Sequence, residues 1–393
     1  MEITKNIYSV GVVDWNLIDF HGYETPYGST YNAYLIIDNK ITLIDTVKNS
    51  SGFFNQMIEN ISSIIPIEKI DYVISNHAER DHSGGVLDLM KQLPDAIFLC
   101  SPHGKDNLEK QRILPLKYKV VENMEELSIG ARTLKFFHTP LVHWPDSMMT
   151  YLNEDKILFS NDGFGQHYGR SYVYVDEAGI NIILKESAKY YANILTPYGS
   201  STLKALNILK DLEIQMIAPA HGLIWRNKQD IKTIIEHYTR WANNVVGDKT
   251  LIIYDTMWGS TEILANICYQ QLSLAGIKTE MFNVSKRDVS DIVTEILDSK
   301  FVIFASPILH NQILPTMGKL LVYLSGLRFL NRKAWSIGSY GWAKNSFNKF
   351  EEFIKNAAFD LVSSGFYIKF KPTEKEIEDL KKKLKEEIMP LIL

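Results

Sequence analysis

The sequence predicts an α/β protein of two domains: a mixed α/β or sandwich-like part over residues 1–247 and a doubly wound parallel sheet over residues 248–393. Three observations carry this. The length, 393 residues, suits two cores at roughly 100–200 residues per domain. Up to about residue 245 the apolar, β-rich runs are short and end in loops rich in Gly, His or Asp. Beyond it, strand-like and helix-like spacings alternate regularly, which is the pattern of a parallel sheet with crossover helices.

In the first part, residues 32–37, 70–75, 97–100, 157–160 and 214–219 read as strands, and 53–63 and 86–92 carry helical spacing. Residues 226–246 are helical in period, and Gly247-Asp248-Lys249 reads as the linker. The second part predicts strands at 251–254, 279–284, 301–305, 334–339 and 365–370. Helices are expected between them at 260–275, 288–297, 316–325 and 347–358. Residues 374–388 form an amphipathic Lys/Glu helix whose charges read as a solvated face.

Composition narrows the function classes. With 42 basic against 46 acidic residues the net charge is −4, which gives no electrostatic footprint for nucleic acid. No apolar run reaches the ~18 residues of a membrane span, and the N-terminus lacks the basic and apolar regions of a leader, so a cytoplasmic location is expected. Two cysteines, Cys100 and Cys268, exclude a disulfide framework and are too few for a four-thiolate metal site.

The strongest chemical signal is Ile74-Ser-Asn-His77-Ala-Glu79-Arg-Asp81-His82, which follows an apolar strand. Packing two imidazoles and two carboxylates onto a strand end has no evident structural benefit, whereas alternate residues leaving a strand point to one side and can serve adjacent ions. His143, Asp162 and His221 stand at comparable strand ends or tight loops, making seven candidate ligands. A natural division gives one ion His77, Glu79 and His143 and the other Asp81, His82 and His221, with Asp162 bridging and open positions left for small-molecule chemistry. His103, His138, His167 and His237 read as surface or hydrogen-bonded structural residues. His21, in Asp19-Phe-His-Gly-Tyr, has two open readings: a structural role, or a cover over the metal pocket that supplies a proton.

In the second domain, Thr256, Met257, Trp258, Gly259, Ser260 and Thr261 follow the first strand and open a helix. Hydroxyls and helix N–H groups there suit a monophosphate; the turn has neither the lysine of a Walker loop nor the glycines of a dinucleotide fingerprint. Two later loops follow strands at the same sheet edge: Ser306, Pro307, Ile308, Leu309, His310 and Asn311, then Ser339, Tyr340, Gly341 and Trp342. In a 2-1-3-4-5 strand order these flank a planar ring, with Trp342, and Trp258 or Tyr340, against its faces.

The seven-ligand set resembles the metallo-β-lactamase-like fold, an αββα sandwich, with one departure. The hydrolase motif HxHxDH reads HxExDH here, and Glu79 makes the donor set suit iron at least as well as zinc. The three later loops resemble flavodoxin and imply FMN. Together the halves resemble the flavodiiron proteins, also called A-type flavoproteins, over nearly all of the chain and without a rubredoxin domain.

The resemblance implies an oxidoreductase with two non-haem iron ions that reduces dioxygen to water or nitric oxide to nitrous oxide, with electrons relayed through FMN. It points to His21 and to Tyr191, in Tyr190-Tyr-Ala-Asn-Ile, as groups near the bound substrate. It further implies a head-to-tail homodimer, or a dimer of dimers, that places one subunit's FMN beside the other's irons. The electron donor is then external, a rubredoxin or a reduced deazaflavin. The segment after Trp342, Ala343-Lys-Asn-Ser346, is less Gly-rich than the family pattern. Two other classes remain distinguishable: a metal-dependent hydrolase with an accessory flavodoxin-like domain, marked by a colourless zinc-loaded protein, and a noncatalytic flavoprotein, marked by FMN without iron.

Overall fold

The computed structural model describes residues 1–50 and 52–393. Its contacts divide the chain into two compact units. One comprises Met1–His21, Thr25–Tyr190 and Tyr198–Ala242; the other comprises Gly22–Glu24, Tyr191–Pro197 and Asn243–Leu393.

Two sheets stack in the first unit. The seven-stranded one runs Glu2–Thr4, Ile7–Ser9, Tyr34–Ile36, Ile41–Ile44, Ile70–Ser75, Ile97–Cys100, Tyr118–Val120. The five-stranded one runs Glu126–Ser128, Thr133–His138, Met148–Leu152, Ile157–Asn161, Met216–Pro219. Strand periodicity of two explains the layers. Tyr34, Ile36, Ile44, Ile74 and Leu99 of the first sheet pack with Leu134, Phe136, Leu152 and Phe159 of the second, forming the core between the sheets. Their alternates Leu35, Leu43, Val73 and Phe98 face the other way, onto Met57, Ile61, Val86 and Leu89 of the helices Phe53–Ser62 and Val86–Gln92. The helix Lys228–Ala242 packs on the strand Met216–Pro219 and on the helix Gly199–Leu209. This is the αββα arrangement.

Short strands were the least legible elements. Residues 32–37 read as one strand, but the chain breaks at Asn32-Ala33 into Ser29–Tyr31 and Tyr34–Ile36, which join different sheets. Asn32 breaks it by turning its amide onto the carbonyls of Pro219 and Gly222, both at 2.9 Å.

The second unit has parallel strands in the order Thr279–Asn283, Lys249–Tyr254, Ser299–Leu309, Lys333–Tyr340, then Asp360–Leu361 and Phe366–Lys369 beside the last. In sequence order that is 2-1-3-4-5, as the alternation predicts. The C-terminal helix Glu374–Lys383 buries Leu380, and Leu384, Ile388 and Ile392 continue that stripe into the sheet's core while the lysines and glutamates stay outside. No helix among the described residues is long and apolar enough to cross a membrane.

Candidate metal centre and flavin cleft

Three donors leave the C-terminal ends of strands: His77 after Ile70–Ser75, Asp162 after Ile157–Asn161, and His221 after Met216–Pro219. His143 lies in the loop before Met148–Leu152. The motif loop is held by its own hydroxyls: Ser75 Oγ donates to the His77 carbonyl (2.9 Å), and Ser83 Oγ to those of Ala78 (2.9 Å) and Glu79 (2.8 Å). The turn Arg80–Ser83 is a single helical turn, which rotates Asp81 and His82 away from His77 and Glu79.

All seven side chains converge in two groups. Nε2 of His77 and of His143 lie 3.4 and 3.2 Å from Glu79 Oε2, and each lies 3.6 Å from Asp162 Oδ2. On the other side, His82 Nε2 is 3.4 Å from Asp81 Oδ1 and 3.2 Å from Asp162 Oδ1, while His221 Nε2 is 3.1 Å from Asp81 Oδ2 and 3.7 Å from Asp162 Oδ1. Asp162 therefore presents one oxygen to each group. Donors about 2.1 Å from a common ion stand roughly 3.0–3.4 Å apart, close to the separations found here.

The chemistry of the cluster fits two cations. His77 Nε2, His82 Nε2, both Asp81 oxygens and Asp162 Oδ2 are buried with no hydrogen-bond partner among the described residues. Burial opposes ionisation of Asp162, but His82, His77 and His143 outweigh it and hold the carboxyl well below the usual range. Burial likewise opposes charge on His82, and Asp81 and Asp162 overcome it, pushing the ring up to about 9. Carboxylates are thus kept charged inside the fold by rings that take up protons; two metal ions would do so with the rings neutral. The group of Asp81, His82 and His221 is fully buried, whereas the Glu79 and His143 side chains are 16% and 17% exposed, which opens that side.

Several partners were not foreseen in the sequence. Asp146 Oδ2 meets His77 Nδ1 at 2.9 Å and accepts from the Ala78 N–H at 2.7 Å, and its Oδ1 accepts from Asn107 Nδ2 at 2.7 Å. The carbonyl of Thr30 takes His221 Nδ1 at 2.6 Å. Both contacts fix the tautomer that turns Nε2 inward. Tyr190, the last residue of the helix Ile180–Tyr190, donates to Asp162 Oδ1 at 3.1 Å. Asp146 stands in the same Leu-Val-His-Trp-Pro-Asp segment as His143, but nothing in the sequence joins it to His77.

His21 is exposed at the tip between Asp19–Phe20 and Tyr23–Glu24, with its ring 4.5 Å from that of Phe20. Phe20, not His21, approaches His167 (5.1 Å) and His221 (6.5 Å). Tyr191 is buried at the start of the wider turn Tyr191–Leu195. It is Tyr190 whose hydroxyl meets Asp162. His167 is buried and hydrogen-bonded, with Nδ1 2.7 Å from Ser29 Oγ. His138 Nε2 meets the Val121 carbonyl at 3.0 Å. His103 is exposed, and His237 packs its ring 5.2 Å from Trp241.

In the other unit a cleft of about 560 Å³ opens at the carboxyl edge of the parallel sheet. Thr256, Met257, Trp258 and Ser260 line it from the first turn, residues Pro307 to Asn311 from the second segment and Ser339 to Trp342 from the third. Ala343, Phe370 and Lys371 join them unforeseen. Gly259, Thr261 and Ser306 are not among its lining residues. Gly259 takes φ +83°, which suits glycine, and its N–H donates to Thr256 Oγ1 at 3.0 Å. Thr261 Oγ1 and Ser339 Oγ pair at 2.9 Å. The second segment is less of a loop than expected: Ser299–Leu309 runs on as a strand through it and turns back at His310-Asn311 to pair with Gln312–Ile313.

The helix Ser260–Leu274 has no side-chain cap, so its first N–H groups remain free for an anion. Trp258 and Trp342 are 89% and 85% exposed. Indoles left so open at a cleft mouth suit a flat aromatic ligand. A phosphate-binding turn and two such rims fit FMN.

Comparison with known proteins agrees with both halves. The family model ODP family beta lactamase matches residues 30–222, and the flavodoxin model matches residues 252–383. The rubredoxin oxygen:oxidoreductase of Desulfovibrio gigas superposes with a TM-score of 0.96 at 34% identity, covering 100% of this chain and 98% of that one. The flavodiiron protein of Giardia intestinalis gives 0.93 at 34% identity, covering 97% and 93%. The chain belongs to the flavodiiron proteins. Among curated relatives, the nitric oxide reductase of Moorella thermoacetica is 41% identical over 92% of this chain and 91% of its own length. As a flavodiiron protein the chain is an oxidoreductase with a diiron-type site, built from two groups of metal-binding side chains, and a flavodoxin domain able to bind FMN.

Proposed function

We propose that the protein reduces dioxygen to water, nitric oxide to nitrous oxide, or both, at two non-haem irons, drawing electrons through FMN. The observation that carries this reading is Asp162, which offers Oδ2 to the His77 and His143 side and Oδ1 to the His82 and His221 side. Its support comes also from relatives named for each gas, the Moorella nitric oxide reductase and the Desulfovibrio rubredoxin oxygen:oxidoreductase.

His77, Glu79 and His143 would hold one iron and Asp81, His82 and His221 the other, with Asp162 shared. The irons would supply electrons and binding positions for the diatomic, and FMN, a two-electron carrier, would refill them. Everything else is the work of this chain. Asp146 and the Thr30 carbonyl orient the imidazoles, burial of the Asp81 group keeps bulk water away, and the part-exposed edge at Glu79 and His143 admits substrate. Tyr190 holds a hydroxyl proton against Asp162 Oδ1, where it tempers the charge of that carboxylate. In the cleft, Thr256, Ser260 and the helix N–H groups take the phosphate, and Trp258 and Trp342 flank the ring.

The donor is read as an external one-electron protein such as rubredoxin, or a reduced deazaflavin. Cys100 and Cys268 are both buried and too few for an iron–thiolate centre. A head-to-tail homodimer, which brings each FMN to the partner's irons, and a cytoplasmic location complete the reading. The test is anaerobic reduction of the purified protein followed by parallel dioxygen and nitric oxide electrode traces, with iron and FMN measured on the same sample. Consumption of either gas is expected; none, from protein holding both cofactors, contradicts the reading.

A further inference from the structure

Directly after Asp162 the chain turns sharply. Ser160 Oγ donates to the Gly163 carbonyl at 2.6 Å, and the N–H groups of Gly163 and Gly165 reach the carbonyls of Ser160 and Asp162, both at 3.1 Å. Two residues of this turn, Asn161 at φ +51° and Phe164 at φ +64°, lie in the left-handed region. Asparagine enters that region readily, whereas a bulky ring there is an outlier. Gly163 and Gly165 flank Phe164, yet the positive φ falls on the phenylalanine and on neither glycine. Such a conformation persists only where the surroundings impose it.

Two distant side chains impose it here. The Phe164 N–H donates to Tyr238 Oη at 2.9 Å, and Trp225 Nε1 donates to the Phe164 carbonyl at 3.0 Å, so its two backbone polar groups end on side chains 74 and 61 positions away. The rings of Phe164 and Tyr238 stand 4.6 Å apart, and all three residues are buried. Each side of this clamp is itself anchored. Tyr238 lies on the helix Lys228–Ala242, and Trp225 exchanges two backbone hydrogen bonds of 2.9 Å with Ile217, on the strand that leads to His221.

Asp162 stands two positions before Phe164 and offers one oxygen to each donor group. A carboxylate shared in this way tolerates little rotation, because a swing toward one group withdraws it from the other. With the clamp released, Phe164 is free to relax to the right-handed or extended regions, and the turn that carries Asp162 moves with it.

We propose that Tyr238 and Trp225 are positioning residues for the shared carboxylate: by holding Phe164 left-handed they set Asp162 between the two donor groups. The role of the carboxylate rests on the diiron reading above; the clamp rests on the turn.

Mössbauer spectra of the full-length, iron-loaded protein test it. Tyr238→Phe keeps the ring and removes only the hydroxyl; it should lower the spin coupling of the pair and weaken iron binding about tenfold in competition with a chelator. Trp225→Phe, which releases the other side of the clamp, should act in the same direction. Adding Phe164→Gly to Tyr238→Phe separates positioning from packing. Glycine takes a positive φ unaided, so coupling and iron affinity should return toward wild type even though loss of the buried ring lowers Tm further. Should that double variant fail to fold, Phe164→Asn replaces it with a side chain that tolerates the left-handed region. A spectrum that stays altered in the folded double variant overturns the proposal. A coupled wild type with an unchanged Tyr238→Phe spectrum overturns it alone, whereas a wild type without a coupled pair overturns the diiron reading as well.

Discussion

At the metal centre His77, His82, Asp162 and His221 are each 1% exposed, while at the flavin cleft Trp258 and Trp342 are 89% and 85% exposed. The first site gathers its donors from residues 77 to 221 and orders them by buried charge and by hydrogen bonds to each ring. The second hangs three consecutive sheet-edge segments around an open mouth. The difference matches two tasks. A site that binds a diatomic and handles charge benefits from donors preset in low dielectric, where rearrangement is costly. A site that exchanges electrons with an outside donor needs its ligand within reach of solvent.

The sharpest break in this comparison is Asp162→Ala. Because Asp162 alone faces both groups, its loss should cost iron binding on both sides and lower turnover by roughly a thousandfold, several kcal/mol of lost metal stabilisation. Iron content and gas consumption on one preparation check it, and FMN content should stay at the wild-type level. Next comes Asp146→Ala, which leaves every candidate ligand in place but frees His77 Nδ1. Metal affinity should fall about 10–100-fold, read by competition with a chelator, and Asp146→Asn should recover part of it.

At the cleft the expected effects are smaller, since Trp258 and Trp342 stand open to solvent at its mouth. Trp342→Ala should weaken FMN about fivefold, near 1 kcal/mol for an aromatic contact, with iron content unaltered. Fluorescence titration of FMN reads this directly; an equal loss of iron would contradict the separation of the two sites.

Two neighbouring tyrosines sharpen the comparison further. Tyr190→Phe removes one hydrogen bond to Asp162, about 1 kcal/mol, and should change the optical spectrum of the iron centre. Tyr191→Phe should leave that spectrum as it is. His21→Ala, on an exposed ring that touches Phe20, is expected to change turnover less than about twofold.

Legibility followed the same divide. Both folds were readable because the second half alternates strand and helix with long runs, and because strands such as Ile70–Ser75 and Ile97–Cys100 carry the apolar stretches Tyr72-Val73-Ile74 and Ile97-Phe98-Leu99. The ligand types were readable because His77, Glu79, Asp81 and His82 fall within six residues and the three others sit at a strand end or in a tight loop. What could not be read was long-range. Asp146 reaches His77 across 69 positions and Thr30 reaches His221 across 191, contacts set by sheet packing rather than by any local pattern. The contact of Tyr190 with Asp162 had no local signal either, because it depends on where a helix gives way to a wider turn, a boundary that two adjacent tyrosines do not reveal. Short strands failed for a related reason: three residues carry too little alternation to stand out from a loop.

Whether two irons share Asp162 is read by Mössbauer spectroscopy of the iron-loaded, oxidised protein, with iron counted per chain. Two irons per chain forming one spin-coupled pair is the predicted result, with the coupling lost in Asp162→Ala. A single ion per chain, or two magnetically independent ions, would contradict it.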